Sequence, residues 1–151
     1  MKIRIEIVDD PSGEEVVIRC SKIDPRIENI QKYISEQSAE APKIVFFKDG
    51  SEYYFPLNEV LFFETEGDCV YAHTAKDSYR IRHRLYELED ILPRQFVRVS
   101  KSTIINTSRI HSINRNLTSA SMVEFRGSHK HVYVSRRYYG ALRQRLDERS
   151  Q

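Results

Sequence analysis

From residue 43 to residue 134 a short β-branched or aromatic run recurs about every 8 to 12 residues, each closed by a turn. One interval of helical spacing interrupts the series and another follows it, so the rhythm predicts a mainly β domain with short helices. The first runs, 44–47 and 52–55, are joined through Asp49-Gly50, a strong two-residue hairpin signal. Segments 60–65, 69–74 and 79–82 follow, separated by polar breaks at 66–68 and 75–78. Residues 85–92 place Leu85, Leu88 and Leu92 on one helical face before Pro93 ends it. Strands are expected again at 110–114, 122–125 and 131–134. A closing helix follows, with Ser135 as its N-cap and Tyr139, Leu142 and Leu146 as its apolar stripe.

The centre of this series is 96–106, F-V-R-V-S-K-S-T-I-I-N. Val97 and Val99 alternate with Arg98 and Ser100, the period of a half-buried strand, and Thr103-Ile104-Ile105 resumes a second one. Between them lies a small cationic tip, Ser100-Lys101-Ser102, with donors suited to phosphate oxygens or base edges and no acid beside them. A solvated hairpin bend is the plain reading of the tip alone; its surroundings argue for more.

Charge supplies the first of those surroundings. Residues 94–151 hold 12 basic and 3 acidic side chains, a net +9, against −3 for residues 1–42 and −4 for 43–93. A basic third on an otherwise acidic chain most often meets nucleic acid. A membrane surface fits less well, because the basic third is strand-like and carries no long cationic amphipathic helix. The second is the start of the last helix, where Arg136 and Arg137 occupy the first turn. Cations there work against the helix dipole by a few tenths to about 1 kcal/mol each. An anion bound at that terminus reverses the balance, since free N–H groups and two guanidiniums converge on it.

Residues 1–42 read differently. Ile3, Ile5 and Ile7 alternate with Lys2, Arg4 and Glu6, residues 15–20 form a second expected strand, and Asp10-Pro11-Ser12-Gly13 turns the chain between them. A helix is expected over 25–36, with Asp24 as N-cap, Pro25 at its first position and Ile27, Ile30 and Ile34 as a stripe. The result is a small ββα unit, near the size below which a fold needs help, so it is expected to serve oligomerisation or signal input. The boundary falls between 42 and 43. The Ile7-Val8-Asp9-Asp10 run resembles the first strand of a receiver domain, but the segment stops far short of the α/β domain such a site requires.

Enzyme readings find little support. His129 and His131 share a strand face without a third ligand at recognisable spacing, and Cys20 and Cys69 sit in no motif. Glu64, Glu66 and Asp68 read as a polar rim between strands, and neither a nucleophile elbow nor a phosphate-cradling glycine loop is present. No catalysis, cofactor, metal or small-molecule substrate is expected. No apolar signal core or spanning run appears, so a cytoplasmic location is expected.

Several motifs in order resemble the LytTR family of bacterial DNA-binding domains. They are F-F-K-D-G in the first hairpin, P-L-N-E-V-L-F-F-E-T from Pro56, R-I-R-H-R-L-Y-E-L-E-D-I-L-P from Arg80, the 96–106 stretch, and V-S-R-R-Y opening the last helix. The resemblance covers about 43–146. It implies an elongated arrangement of small antiparallel sheets with short helices, in which loops rather than a recognition helix enter the major groove of double-stranded DNA. By motif, the contacts fall at the loop 66–69 with Asp68 and Cys69, at the tip with Arg98, Ser100, Lys101 and Ser102, and at Arg136 and Arg137. Two departures mark this chain. Ser100 stands where many members carry histidine, and the first loop is acidic. The resemblance further implies a stand-alone transcriptional regulator without a receiver domain, of the type that works with a small membrane protein partner. A homodimer is expected from the small N-terminal unit, which cannot bury its isoleucine stripe alone. The alternatives from other classes are an RNA-binding module, separable by competition between duplex DNA and single-stranded RNA, and an interaction adaptor whose affinity would not follow salt.

Overall fold

The computed structural model describes residues 2–7, 9, 15–38 and 43–149, and the chain divides into two compact units, Met1–Ser38 and Ala39–Gln151. The C-terminal unit is built on a seven-stranded sheet of order β2-β1-β5-β4-β3-β7-β6 and a three-stranded sheet of order β10-β9-β8. The strands of the first are β1 (Phe46–Lys48), β2 (Ser51–Tyr53), β3 (Phe62–Glu66), β4 (Cys69–His73), β5 (Ser78–Ile81), β6 (Phe96–Arg98) and β7 (Thr103–Asn106). Those of the second are β8 (Ile110–Asn114), β9 (Ser121–Phe125) and β10 (His131–Val134). Every pairing is antiparallel. With helices α2 (Leu85–Ile91) and α3 (Arg136–Arg149) added, this is the mainly β arrangement expected from the rhythm of the sequence.

Turn chemistry sets the hairpins. Asp49 and Gly50 both take positive φ, 50° and 78°, which is the type I′ geometry that Asp-Gly favours. The β3–β4 link carries its positive φ at Gly67 (60°) and not at Asp68, the II′ pattern with glycine first. A Cβ at Gly67 would meet nothing within 4 Å, so the backbone angle and not crowding makes glycine fit there.

Two apolar cores lie on opposite faces of the large sheet, and the adjacent residues of β3, β6 and β7 alternate between them. Phe63, Phe96 and Ile104 join Phe46, Val60, Val70, Ile81 and the α2 residues Leu85 and Leu88 in one core. Phe62, Val97 and Ile105 join Val123, Phe125, Val132, Val134 and Leu142 of α3 in the other. This double duty explains why Leu61-Phe62-Phe63 and Ile104-Ile105 are unbroken apolar runs: strands covered on both faces lose the polar alternation.

Asn106 closes β7 fully buried. Its Nδ2 donates to the Val60 carbonyl at 3.0 Å, and its Oδ1 accepts from the Ser108 amide at 3.1 Å and the Ser108 hydroxyl at 2.6 Å. With its amide donating to the Leu61 carbonyl at 2.8 Å, the residue locks the end of the tip hairpin to the segment entering β3.

In the N-terminal unit, α1 (Pro25–Ser38) begins as expected. The Asp24 carboxylate accepts from the Ile27 amide at 3.0 Å, and its carbonyl accepts from Glu28 at 3.0 Å. Ile27 is buried and Ile30 and Ile34 are half-buried. The two strands expected over 2–8 and 15–20 are not formed: residues 2–7 and 15–20 belong to no strand. The turn at 10–13 lies outside the described residues. A two-stranded hairpin is marginal without a third strand or a packing face, and here Ile3, Ile5, Ile7, Val16 and Val17 all stand exposed.

Candidate nucleic-acid interface

The three segments singled out from the sequence meet at one edge of the C-terminal unit, and two backbone hydrogen bonds join them. The β3–β4 turn and the 100–102 tip are linked by the Thr65 amide donating to the Ser102 carbonyl at 2.9 Å, next to the Glu64–Thr103 register of β3 and β7. The tip and the start of α3 are linked by the Ser135 amide donating to the Val99 carbonyl at 2.9 Å. Ends of non-adjacent elements are thereby held in a fixed relation by main chain alone, which no side-chain substitution removes directly.

Within the tip, Ser102 donates its amide to the Ser100 hydroxyl at 3.2 Å, and the two hydroxyls lie 3.3 Å apart. Such a local serine bond shapes the turn and leaves the Lys101 side chain exposed at its apex. Arg98 is half-buried and turned inward. Its guanidinium donates to the Ser100 carbonyl at 3.0 Å and to the Lys101 carbonyl, and pairs with Glu89 of α2. It holds the two tip carbonyls and ties them to a helix, so the tip is braced from behind. Asp68 is exposed and Cys69 half-buried, and both cysteines are free thiols.

At the start of α3 the Ser135 carbonyl accepts from the Tyr138 and Tyr139 amides at 3.0 and 3.1 Å. The expected side-chain cap is not made: the Ser135 hydroxyl is buried without a hydrogen-bond partner. The backbone of Ser135 is committed to Val99, and that tie, rather than a cap, fixes where the helix begins. Arg136 and Arg137 are both exposed on the first turn, beside amides that have no intrahelical acceptor. Their charges add to the positive end of the dipole, an arrangement that an anion bound there turns favourable.

Acidic groups line the inner wall of this edge. Burial foremost, and then the neighbouring Glu66, push the Glu64 carboxyl up, against a hydrogen bond from Thr103. His73 stacks on Phe62, its ring 4.4 Å away and 11° from parallel. Burial, with Lys130 adding to it, pushes its pKa down to about 4. The ring is therefore neutral at pH 7, and its 3.7 Å approach to Glu66 is not an ion pair there.

Arg80, Arg82 and Arg84 escaped the sequence reading, because the charge of 43–93 is net negative and hides them. Their signal is the alternation R-I-R-H-R, which places three cations at every second position as the chain leaves β5. Among the described residues no group of three or more His, Cys, Asp or Glu side chains could hold a metal ion, and no helix is long and apolar enough to cross a membrane.

These features define a class of protein in which a β-built domain presents a turn, a hairpin tip and a helix start along one edge. Helices α2 and α3 are separated by five strands, so they form no consecutive helix pair. The chain belongs to the LytTr DNA-binding domain family, which matches residues 50–147. A solved LytTr DNA-binding domain from Bacillus cereus is similar in fold, with a TM-score of 0.62 and 25% identity, covering 70% of this chain and 97% of that one. Two Staphylococcus aureus proteins, from strains NCTC 8325 and MRSA252, are described as uncharacterized HTH-type transcriptional regulators. Each is 25% identical over 146 residues, spanning 97% of this chain and 98% of the relative. The likeness to these regulators thus extends into the N-terminal unit, beyond the family match.

Proposed function

We propose that the protein is a sequence-specific transcriptional regulator that reads the major groove of duplex DNA with the 66–69 turn, the 100–102 tip and the start of α3. The observation that carries this reading is the pair of main-chain bonds, Thr65 to Ser102 and Ser135 to Val99, which set the three segments on one edge, two of them rich in donors. Family membership and the transcriptional regulators similar to the whole chain support it. Arg136 and Arg137 supply guanidiniums, and an arginine pairs in bidentate fashion with N7 and O6 of guanine. We assign that role to Arg137. Lys101, a point charge on an exposed apex, suits a phosphate oxygen. Asp68 is repelled by phosphate but accepts from the amino group of cytosine, so it serves as a discriminating contact. The N-terminal unit acts as the dimerisation element, so that two reading edges engage two half-sites.

The test begins with selection of bound sequences from random duplex DNA, followed by titration against the selected site and its single-base variants. Arg137→Ala should cost about 1–3 kcal/mol and relax preference at one base position. Lys101→Ala should weaken all sequences alike and lower the salt slope by about one. If neither substitution changes affinity, this edge is not the reader; if single-stranded RNA outcompetes the duplex at fixed salt, the target is RNA.

A further inference from the structure

We propose that the groove between the β3–β4 turn, the 100–102 tip and the link from β5 to α2 is a second DNA contact, a cradle for the sugar–phosphate backbone beside the base-reading loops. This rests on the DNA-binding reading above and extends it to residues outside the three reading segments. The groove has a volume of about 560 Å³, and its lining includes Arg80, Arg82, Arg84, Arg98, Lys101 and Asp68. Five cations thus face one carboxylate. Arg98 is occupied, since its guanidinium holds the tip carbonyls and Glu89. Arg82 lies with its guanidinium 4.7 Å over the Phe47 ring; stacking orients that fork and leaves its N–H edge open to donate. Arg80, Arg84 and Lys101 make no ion pair among the described residues, and all three are exposed.

Like charges gathered this way repel, and no ion pair among the described residues compensates Arg80, Arg84 or Lys101. An external polyanion does. Planar guanidinium forks match phosphate oxygens in a way an ammonium does not. Duplex DNA presents one such charge per about 1.7 Å of axis. Position selects DNA over other polyanions: Asp68 and Lys101 belong both to the groove wall and to the reading segments. A duplex seated on those segments therefore carries its backbone past the arginines. Contacts of this kind fix register and contribute affinity without sequence information.

The experiment compares the wild type, Arg80→Gln/Arg84→Gln and Arg80→Lys/Arg84→Lys on a duplex selected by the wild type, with log affinity measured against log salt. Each phosphate contact adds about 0.9 to the slope, so the glutamine pair should flatten it by about two while base preference stays that of the wild type. The lysine pair, which keeps the charge, should keep most of the slope. Hydroxyl-radical protection of the duplex should shorten at one flank in the glutamine pair. An unchanged slope and footprint in the glutamine pair, with Arg137→Ala still altering base preference, would overturn the cradle and leave the reading edge standing. An equal loss of slope in the lysine pair would also overturn it, by tracing the effect to altered folding. Failure of the wild type to bind any duplex would remove the DNA-binding reading itself.

Discussion

In the C-terminal unit Val60, Leu61, Phe63, Ile105 and Leu142 are wholly withdrawn from solvent, while in the N-terminal unit Ile3, Ile5 and Ile7 stand 87–100% exposed. Both regions carry the same kind of sequence signal, apolar residues at strand or helix period. What separates them is the presence of a second apolar face. β3 and β7 find one on each side, so their period becomes a core; residues 2–7 find none and form no strand. Alternation states which face a segment would bury, and burial itself needs a partner. Three exposed isoleucines at alternate positions offer apolar surface that another chain could cover, and this supports the dimer proposed above.

The largest effect should come from removing the N-terminal unit. The truncated protein, residues 43–151, should keep a cooperative unfolding transition, because both cores lie within it. It should sediment as a monomer and lose about 10²–10⁴ in affinity for a two-half-site duplex, the usual gain from linking two binding events. Sedimentation of the full-length protein as a monomer at micromolar concentration would break the comparison, since the exposed isoleucines would then have no partner copy.

Core substitution sharpens the contrast at single-residue scale. Leu142→Ala removes a wholly buried side chain from the core that seats α3, and should lower stability by about 2–5 kcal/mol in chemical denaturation. Because Leu142 also anchors the helix whose first turn carries Arg136 and Arg137, DNA affinity should fall with it. Ile5→Ala should leave the unfolding of the C-terminal unit unchanged and shift only the dimer dissociation constant. Equal destabilisation by both would mean that residue 5 is part of a monomer core.

Much of this architecture was legible because its determinants are local. Asp49-Gly50 names its own turn through two positive φ angles, Pro93 follows the end of α2, and β8 and β10 run over the residues that alternation picks out. Non-local determinants were not legible. Nothing near Asn106 announces that it binds Val60, 46 positions away, or that Leu57–Glu59 forms a 3-10 turn. The reading edge was half legible. Motif and charge pointed to the three segments that the fold brings to one edge, yet the inward turn of Arg98 depends on Glu89 from a separate helix. The idle Ser135 hydroxyl likewise sits in a helix start already anchored at Val99.

The smallest effect expected is an acid sensitivity confined to the C-terminal unit. His73 lies between Phe62 and Lys130, with Lys130 Nζ 3.3 Å from its Nδ1. Folded, it stays neutral down to about pH 4, whereas its ordinary pKa is 6.5. Between those values the unfolded chain binds more protons than the folded one, so stability rises with pH across the window and is lost as pH falls through it. One such group contributes a slope of at most about 1.4 kcal/mol per pH unit, about 1 near pH 6 and only a few tenths near pH 7. Asp77, held low chiefly by its hydrogen bond from Lys48, tilts stability in the same direction at lower pH, so the difference between proteins is the useful quantity. His73→Gln should be less stable at pH 7 for want of the Phe62 stack, yet its stability should change less than the wild type's between pH 6.5 and 4. Parallel pH profiles for the two proteins would show that His73 protonates alike in both states, and that the wall behind the β3–β4 turn is open to water.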